Sequence, residues 1–168
     1  DEDDWKSYFK SVEHPHEYIL QYLIGDRQEH RSYIKRLAQK NNLPIISIPS
    51  APIDYVDRCT TKVWCGPSEF LYLISNATLV CTDSFHGTAF SLNFRKNVFS
   101  FYKMDDKASD SENSRLRNIY SQFEIHNRII TDFLYIPSNN ELEISYNEDL
   151  IKSKIDDSKT YLITSLKG

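Results

Sequence analysis

Residues 18–24, Tyr-Ile-Leu-Gln-Tyr-Leu-Ile, form a short run of aromatic and branched side chains that ends at Gly25-Asp26. A run of that length and composition predicts a buried strand. Tyr33, Ile34, Leu37 and Ala38 then recur at helical spacing, predicting a helix over 28–40 that Asn41-Asn42 closes. The apolar stretch 44–48 predicts the next strand. Strand, helix and strand within so short a span make a βαβ unit, with parallel strands and a right-handed crossover.

Two prolines and scattered charges mark 49–65 as a loop. Gly66-Pro67-Ser68-Glu69 then reads as a helix start. Glycine can cap, proline suits the first helical position, and the carboxylate of Glu69 meets the positive end of the dipole. Phe70, Leu73, Ile74 and Ala77 follow at i, i+3, i+4 and i+7. A strand is expected over 78–82, a turn over 83–87, a short helix over 88–94 and a strand over 97–101. The polar stretch 102–113 reads as a connection. Helices over 114–123 and 148–166 complete a doubly wound, mostly parallel Rossmann-like α/β sheet.

Composition narrows the classes. The 168 residues suit one domain, and the apolar share of 40% with an aromatic share of 13% supports a real core. A net charge of −4 argues against nucleic acid as a partner, since a duplex binder carries a basic excess. No run of 18 or more apolar residues occurs, so no membrane span is expected. The acidic start, Asp1-Glu2-Asp3-Asp4, is unlike a secretory signal, and its abruptness suggests a domain taken from a longer protein. Cys59, Cys65 and Cys81 form no C-x-x-C pair. Cys81 reads as core, and Cys59 and Cys65 could pair or bind metal but lack nearby histidines. A reduced, cytoplasmic setting without metal is the simpler expectation.

In open parallel sheets ligands bind beyond the carboxyl ends of the strands. Two predicted strand ends carry suitable chemistry. One is Gly25-Asp26-Arg27, with a guanidinium just past the strand. The other is Thr82-Asp83-Ser84-Phe85-His86-Gly87-Thr88, between a strand and a helix N-terminus, where unpaired amides favour an anion. Gly87 permits close backbone approach, Ser84 and Thr88 offer hydroxyls, and His86 can donate a hydrogen bond or a proton. A second reading of the same turn makes Asp83 or Ser84 a helix cap, with His86 bonded to a carbonyl. His14, His16, His30 and His126 fit no pattern and read as surface residues. Trp64 reads as packing under the loop rather than stacking on a sugar.

The block from Gly66-Pro67-Ser68-Glu69-Phe70 through Asn76-Ala77 to Thr82-Asp83-Ser84-Phe85-His86-Gly87-Thr88-Ala89-Phe90-Ser91 closely resembles the polysaccharide pyruvyl transferase family. Tyr22 to Asp26, Ser114-Arg115-Leu116 and the segment 158–162 resemble it more weakly. The resemblance implies a two-domain, glycosyltransferase-B-like enzyme in which this chain is the C-terminal half and a further N-terminal half completes the cleft. It implies transfer of the enolpyruvyl group of phosphoenolpyruvate to the hydroxyls of a glycan or lipid-linked sugar, without a cofactor. His86 is then the catalytic candidate. Ser84, Gly87, Thr88, Arg27 and Arg115 are the donor-binding candidates, with either arginine suited to clamping phosphate or carboxylate. A nucleotide-sugar glycosyltransferase and a non-catalytic anion- or sugar-binding module remain as alternatives.

Overall fold

The computed structural model of the chain describes residues 2–103 and 111–167. Its centre is a six-stranded, all-parallel sheet in the order β3-β2-β1-β4-β5-β6. The strands are β1 (Ile19–Tyr22), β2 (Ile45–Ser47), β3 (Thr61–Lys62), β4 (Leu79–Thr82), β5 (Val98–Phe101) and β6 (Ile129–Ile130). The helices are α1 (Gln28–Asn41), α2 (Pro52–Val56), α3 (Pro67–Asn76), α4 (Phe85–Asn93), α5 (Ser111–Gln122) and α6 (Glu148–Lys167). The chain runs outward from β1 to β3, returns through α3 to β4, and runs outward the other way. The order therefore reverses between β1 and β4, which is the topological switch point of a doubly wound sheet.

Alternation along the strands divides the core. Tyr18, Leu20, Val80 and Val98 face α3, α4 and α5, packing with Leu73, Ile74, Leu92 and Tyr120. Ile19, Leu79, Cys81, Phe99 and Phe101 face the other way, toward Tyr33, Ile34 and Leu37 of α1. All four residues of β4 are buried, as a central parallel strand covered on both faces requires. Cys81 is thus core. Asn42 closes α1 in the left-handed conformation (φ 53°), its N–H donating to Ala38 and Gln39. Glu69 accepts from the Gly66 N–H at 3.1 Å, the reciprocal bond expected of that helix start.

Several expectations are corrected. The stretch read as a loop over 49–65 contains α2 and β3. Pro52 occupies the first turn of α2, and the Asp54 carboxylate accepts from the N–H groups of Ser50 and Ala51. β6 was not expected, since its two residues carry no periodic signal. α4 begins at Phe85 rather than at 88, because Ser84 caps it. α5 begins at Ser111, and residues 104–110 of the predicted polar connection lie outside the described residues. Trp64 does not pack under the loop but is 68% exposed. Nor is His30 on the surface. It is buried and stacked against both Phe101 (4.7 Å between ring centres) and Phe133 (5.6 Å), with Nδ1 unpaired. Burial, reinforced by Arg27 and Arg31, pushes its pKa down to about 4.

α2 is held to α1 by a fully buried ion pair. Arg31 Nε and Nη2 donate to the two oxygens of Asp54 at 2.7 and 3.0 Å, while Nη1 donates to the Arg27 carbonyl. Burial alone would raise the Asp54 pKa, but Arg31 and the two amides hold it below the ordinary carboxylate range.

Removing one partner of such a pair strands the other in the interior. Asp54→Asn is therefore expected to lower stability at neutral pH by about 3–5 kcal/mol, measured by urea unfolding. The Asp54 contribution is complete above its unfolded pKa and fades as pH falls through the lower folded value, so the gap between the two proteins narrows in acid. His30 also has a folded pKa below its unfolded one. Its stabilisation is present above the usual histidine range and is lost as pH falls toward 4. His30→Phe, which keeps the ring stack but cannot titrate, should flatten the stability profile between pH 6.5 and 4. An unchanged slope would show that His30 does not set it.

Candidate functional site

At the switch point the carboxyl ends of β1 and β4 are joined by Asp83. Its Oδ1 accepts from the Ile24 N–H at 2.6 Å and its Oδ2 from the Gly25 N–H at 2.9 Å. A Cβ on Gly25 would stand 3.0 Å from that second oxygen, so glycine lets the β1 loop approach so closely. Burial raises the Asp83 pKa, against the pull of the two amides and of Arg31 and Lys103. The carboxylate is therefore committed across the crevice rather than to capping α4. The open question of which residue caps is answered by Ser84, whose Oγ accepts from the Gly87 N–H at 3.4 Å.

Beyond this clamp lies a cleft of about 150 Å³. Ser84, Phe85 and His86 form one wall, Ile24 the β1 side, and Lys103, Arg115 and Leu116 the side toward β5 and α5. His86 is exposed in the first turn of α4, where backbone N–H groups have no partner within the helix. The Arg115 guanidinium carbon sits 4.3 Å from the centre of the Phe85 ring. That cation–π contact, worth about 0.5–1 kcal/mol at an exposed site, holds a positive charge against the mouth of α4. Tyr22, at the end of β1, places its phenol near Asp83 and Ser84. Burial, then the Asp83 charge, raises its pKa, so it stays neutral.

The sequence candidates separate into those that reach the cleft and those that do not. Ser84, His86 and Arg115 come together. Thr88 is fully buried: its hydroxyl donates to the Ser84 carbonyl at 3.1 Å and meets Ser100 Oγ at 2.7 Å. Ser100 in turn meets the Tyr120 hydroxyl at 2.7 Å. Because the Thr88 proton is used on Ser84, Ser100 must donate to Thr88 and Tyr120 to Ser100. This one-way chain ties the turn to β5 and α5. Gly87 is also buried and serves packing rather than ligand approach, since a Cβ there would lie 2.6 Å from Thr82 Oγ1. Arg27 stands outside the cleft lining and pairs with Glu29 at 3.2 Å.

Lys103 and Tyr22 were missed. Lys103 falls in the stretch set aside as a polar connection, although its place two residues beyond a central strand could have marked it. Tyr22 reads equally well as core. A larger hollow of about 550 Å³ runs beside β6 but does not touch the switch point. Its arginine, Arg128, is used on the carbonyls of Glu141, Leu142 and Glu143. Cys59 and Cys65 are free thiols, and among the described residues no three of His, Cys, Asp and Glu are grouped to hold a metal. Among the described residues no helix is long and apolar enough to cross a membrane.

Comparison with known proteins gives this geometry a context. No curated protein matches the sequence. Among solved structures, UDP-GlcNAc 2-epimerase from Methanocaldococcus jannaschii superposes with a TM-score of 0.50 at 18% identity, over 89% of this chain and 41% of that one. The same enzyme in complex with UDP-GlcNAc and UDP gives 0.49 at 16% identity, over 78% and 37%. The chain thus spans about two fifths of those structures, and the likeness is one of fold, Rossmann-like and glycosyltransferase-B-like. The family described as polysaccharide pyruvyl transferase matches residues 1–103, which include β1 to β5, the Asp83 clamp and His86 but not Arg115. Over that span, more than half its length, this chain belongs to the polysaccharide pyruvyl transferase family.

Proposed function

We propose that this chain supplies the donor-binding half of a transferase that moves the enolpyruvyl group of phosphoenolpyruvate onto two hydroxyls of a sugar, forming a pyruvate ketal. A second, N-terminal half would close the cleft from the other side, as the likeness to structures more than twice its length suggests. The observation that carries the reading is the convergence of His86, Arg115 and Lys103 on the N-terminus of α4, with the nearby Asp83 carboxylate bound to the amides of Ile24 and Gly25. Phosphoenolpyruvate carries a phosphate and a carboxylate. A helix N-terminus suits one, and a guanidinium held on an aromatic ring suits the other.

One sugar hydroxyl adds to the carbon bearing the phosphate while the methylene carbon gains a proton and becomes a methyl group. The second hydroxyl then displaces phosphate from the same carbon. One hydroxyl proton replaces that consumed at the methylene, and the other leaves with phosphate or to solvent. His86, exposed beside the α4 amides, is placed to deliver or take up a proton in these steps. Ser84 supports the site by holding the first turn of α4 in place. Thr88 and Gly87 act from beneath, through packing, and Arg27 has no part. The acceptor, a glycan or lipid-linked sugar, would enter along the exposed carboxyl edge of the sheet.

Titration calorimetry of phosphoenolpyruvate, with UDP-sugars in parallel, tests the reading. His86→Ala and Arg115→Ala should each weaken phosphoenolpyruvate binding about tenfold or more, which is roughly 1.4 kcal/mol. Tighter binding of a UDP-sugar than of phosphoenolpyruvate would replace this reading with a nucleotide-sugar transferase. Binding of phosphoenolpyruvate that ignores both substitutions would place the donor elsewhere.

A further inference from the structure

Two aromatic rings stand in water on the edge of the sheet that carries the cleft. Trp64 is 68% exposed and Tyr55 is 54% exposed, with ring centres 6.5 Å apart and planes inclined at 47°. Neither ring stacks flat on the other, so each keeps a face open. Their backbones are held in place. Val63 and Cys65 both pack against the core, so alternation turns the intervening Trp64 outward. The Val63 N–H also donates to the Ser47 carbonyl. Tyr55 follows Asp54, whose buried bond to Arg31 fixes α2.

The position of the pair connects it to the cleft. All strands are parallel, so their carboxyl ends share one edge, and Trp64 lies just past the end of β3. Three strand spacings separate β3 from β4, or about 14 Å. Between them Cys65 lies near Tyr22, which is near Ser84.

The size of the patch selects its occupant. A large aromatic side chain offers 150–250 Å², so two rings exposed to 54% and 68% present roughly 200–300 Å². A stable protein interface needs about 800 Å² from each partner. A pyranose fits this scale: its C–H face covers an indole or phenol ring while its hydroxyls stay in water. We propose that Tyr55 and Trp64 form a sugar-stacking platform that holds a pyranose of the acceptor glycan a short way from the reacting hydroxyls. In its role, though not in its binding, this platform rests on the transfer proposed above.

The chain contains two tryptophans, Trp5 and Trp64, so 5-fluorotryptophan labelling gives two fluorine NMR signals, which Trp5→Phe assigns. The probes are neutral tetrasaccharides of glucose, galactose and N-acetylglucosamine, taken to about 10 mM, well above a 1 mM dissociation constant. The Trp64 signal should move saturably with at least one of them while Trp5 stays still. Tyr55→Ala should weaken that response about tenfold without altering the Trp5 signal, which reports the intact fold. Absence of any Trp64 movement overturns the platform, as does movement that follows protein concentration instead of sugar. Phosphoenolpyruvate titrated into the same samples keeps the two proposals apart. A Trp64 response with no donor binding sinks the donor reading and supports the platform. Donor binding with a silent Trp64 sinks the platform alone.

Discussion

The carboxylate of Asp83 takes the amides of Ile24 and Gly25, and in doing so fixes the ends of β1 and β4 to each other across the point where the sheet changes direction. Parallel strands that leave a switch point in opposite directions would otherwise open a crevice with unpaired amides on one side. Closing it with a buried acid costs desolvation, visible as the raised pKa of Asp83, and two short hydrogen bonds offset part of that cost. The consequence is chemical as well as structural. With Asp83 so engaged, its carboxylate does not cap the positive end of α4.

The neighbouring residues make sense from this constraint. Glycine at 25 is required by the approach of Asp83, and glycine at 87 by the approach of Thr82. The chain of hydroxyls from Tyr120 through Ser100 and Thr88 to the Ser84 carbonyl then ties α4 to β5 and α5. Arg115 projects from α5, so the placement of its guanidinium depends on this buried polar packing as much as on its contact with Phe85. On the opposite face, Arg31 and Asp54 do the same for α1 and α2. Each of these networks is satisfied internally, as buried polar groups must be if they are to specify one arrangement. Unpaired buried atoms do occur, among them Gln21 Oε1 and His30 Nδ1, and the His30 ring, stacked against two phenylalanines, is held neutral by its surroundings.

Family membership and geometry address different parts of the function. The matched span carries β1 to β5 and the His86 turn, while Arg115 enters from beyond it through the fold. The exposed Tyr55–Trp64 pair also lies within the matched span, away from the cleft at the start of α4.

The sequence by itself determined the doubly wound class, β1, β2, β4 and β5, and the helices α1, α3 and α6 to within one or two residues. It did so because each carries a local signal: a continuous apolar run, a 3.6-residue repeat, or a cap such as Asn42 or the Gly66-Pro67-Glu69 start. It also pointed to the turn at 83–87 and to His86 and Arg115. Tertiary structure alone decided the rest. β3 and β6 have two residues each and exist only because β2 and β5 offer them a partner. Thr88 and Arg27 looked as available as Ser84 and Arg115, since a linear chain does not say which hydroxyl meets Ser100 or which guanidinium meets Glu29. The outward face of Trp64 and the inward one of His30 were likewise set by neighbours distant in sequence, namely the core that takes Val63 and Cys65, and the rings of Phe101 and Phe133.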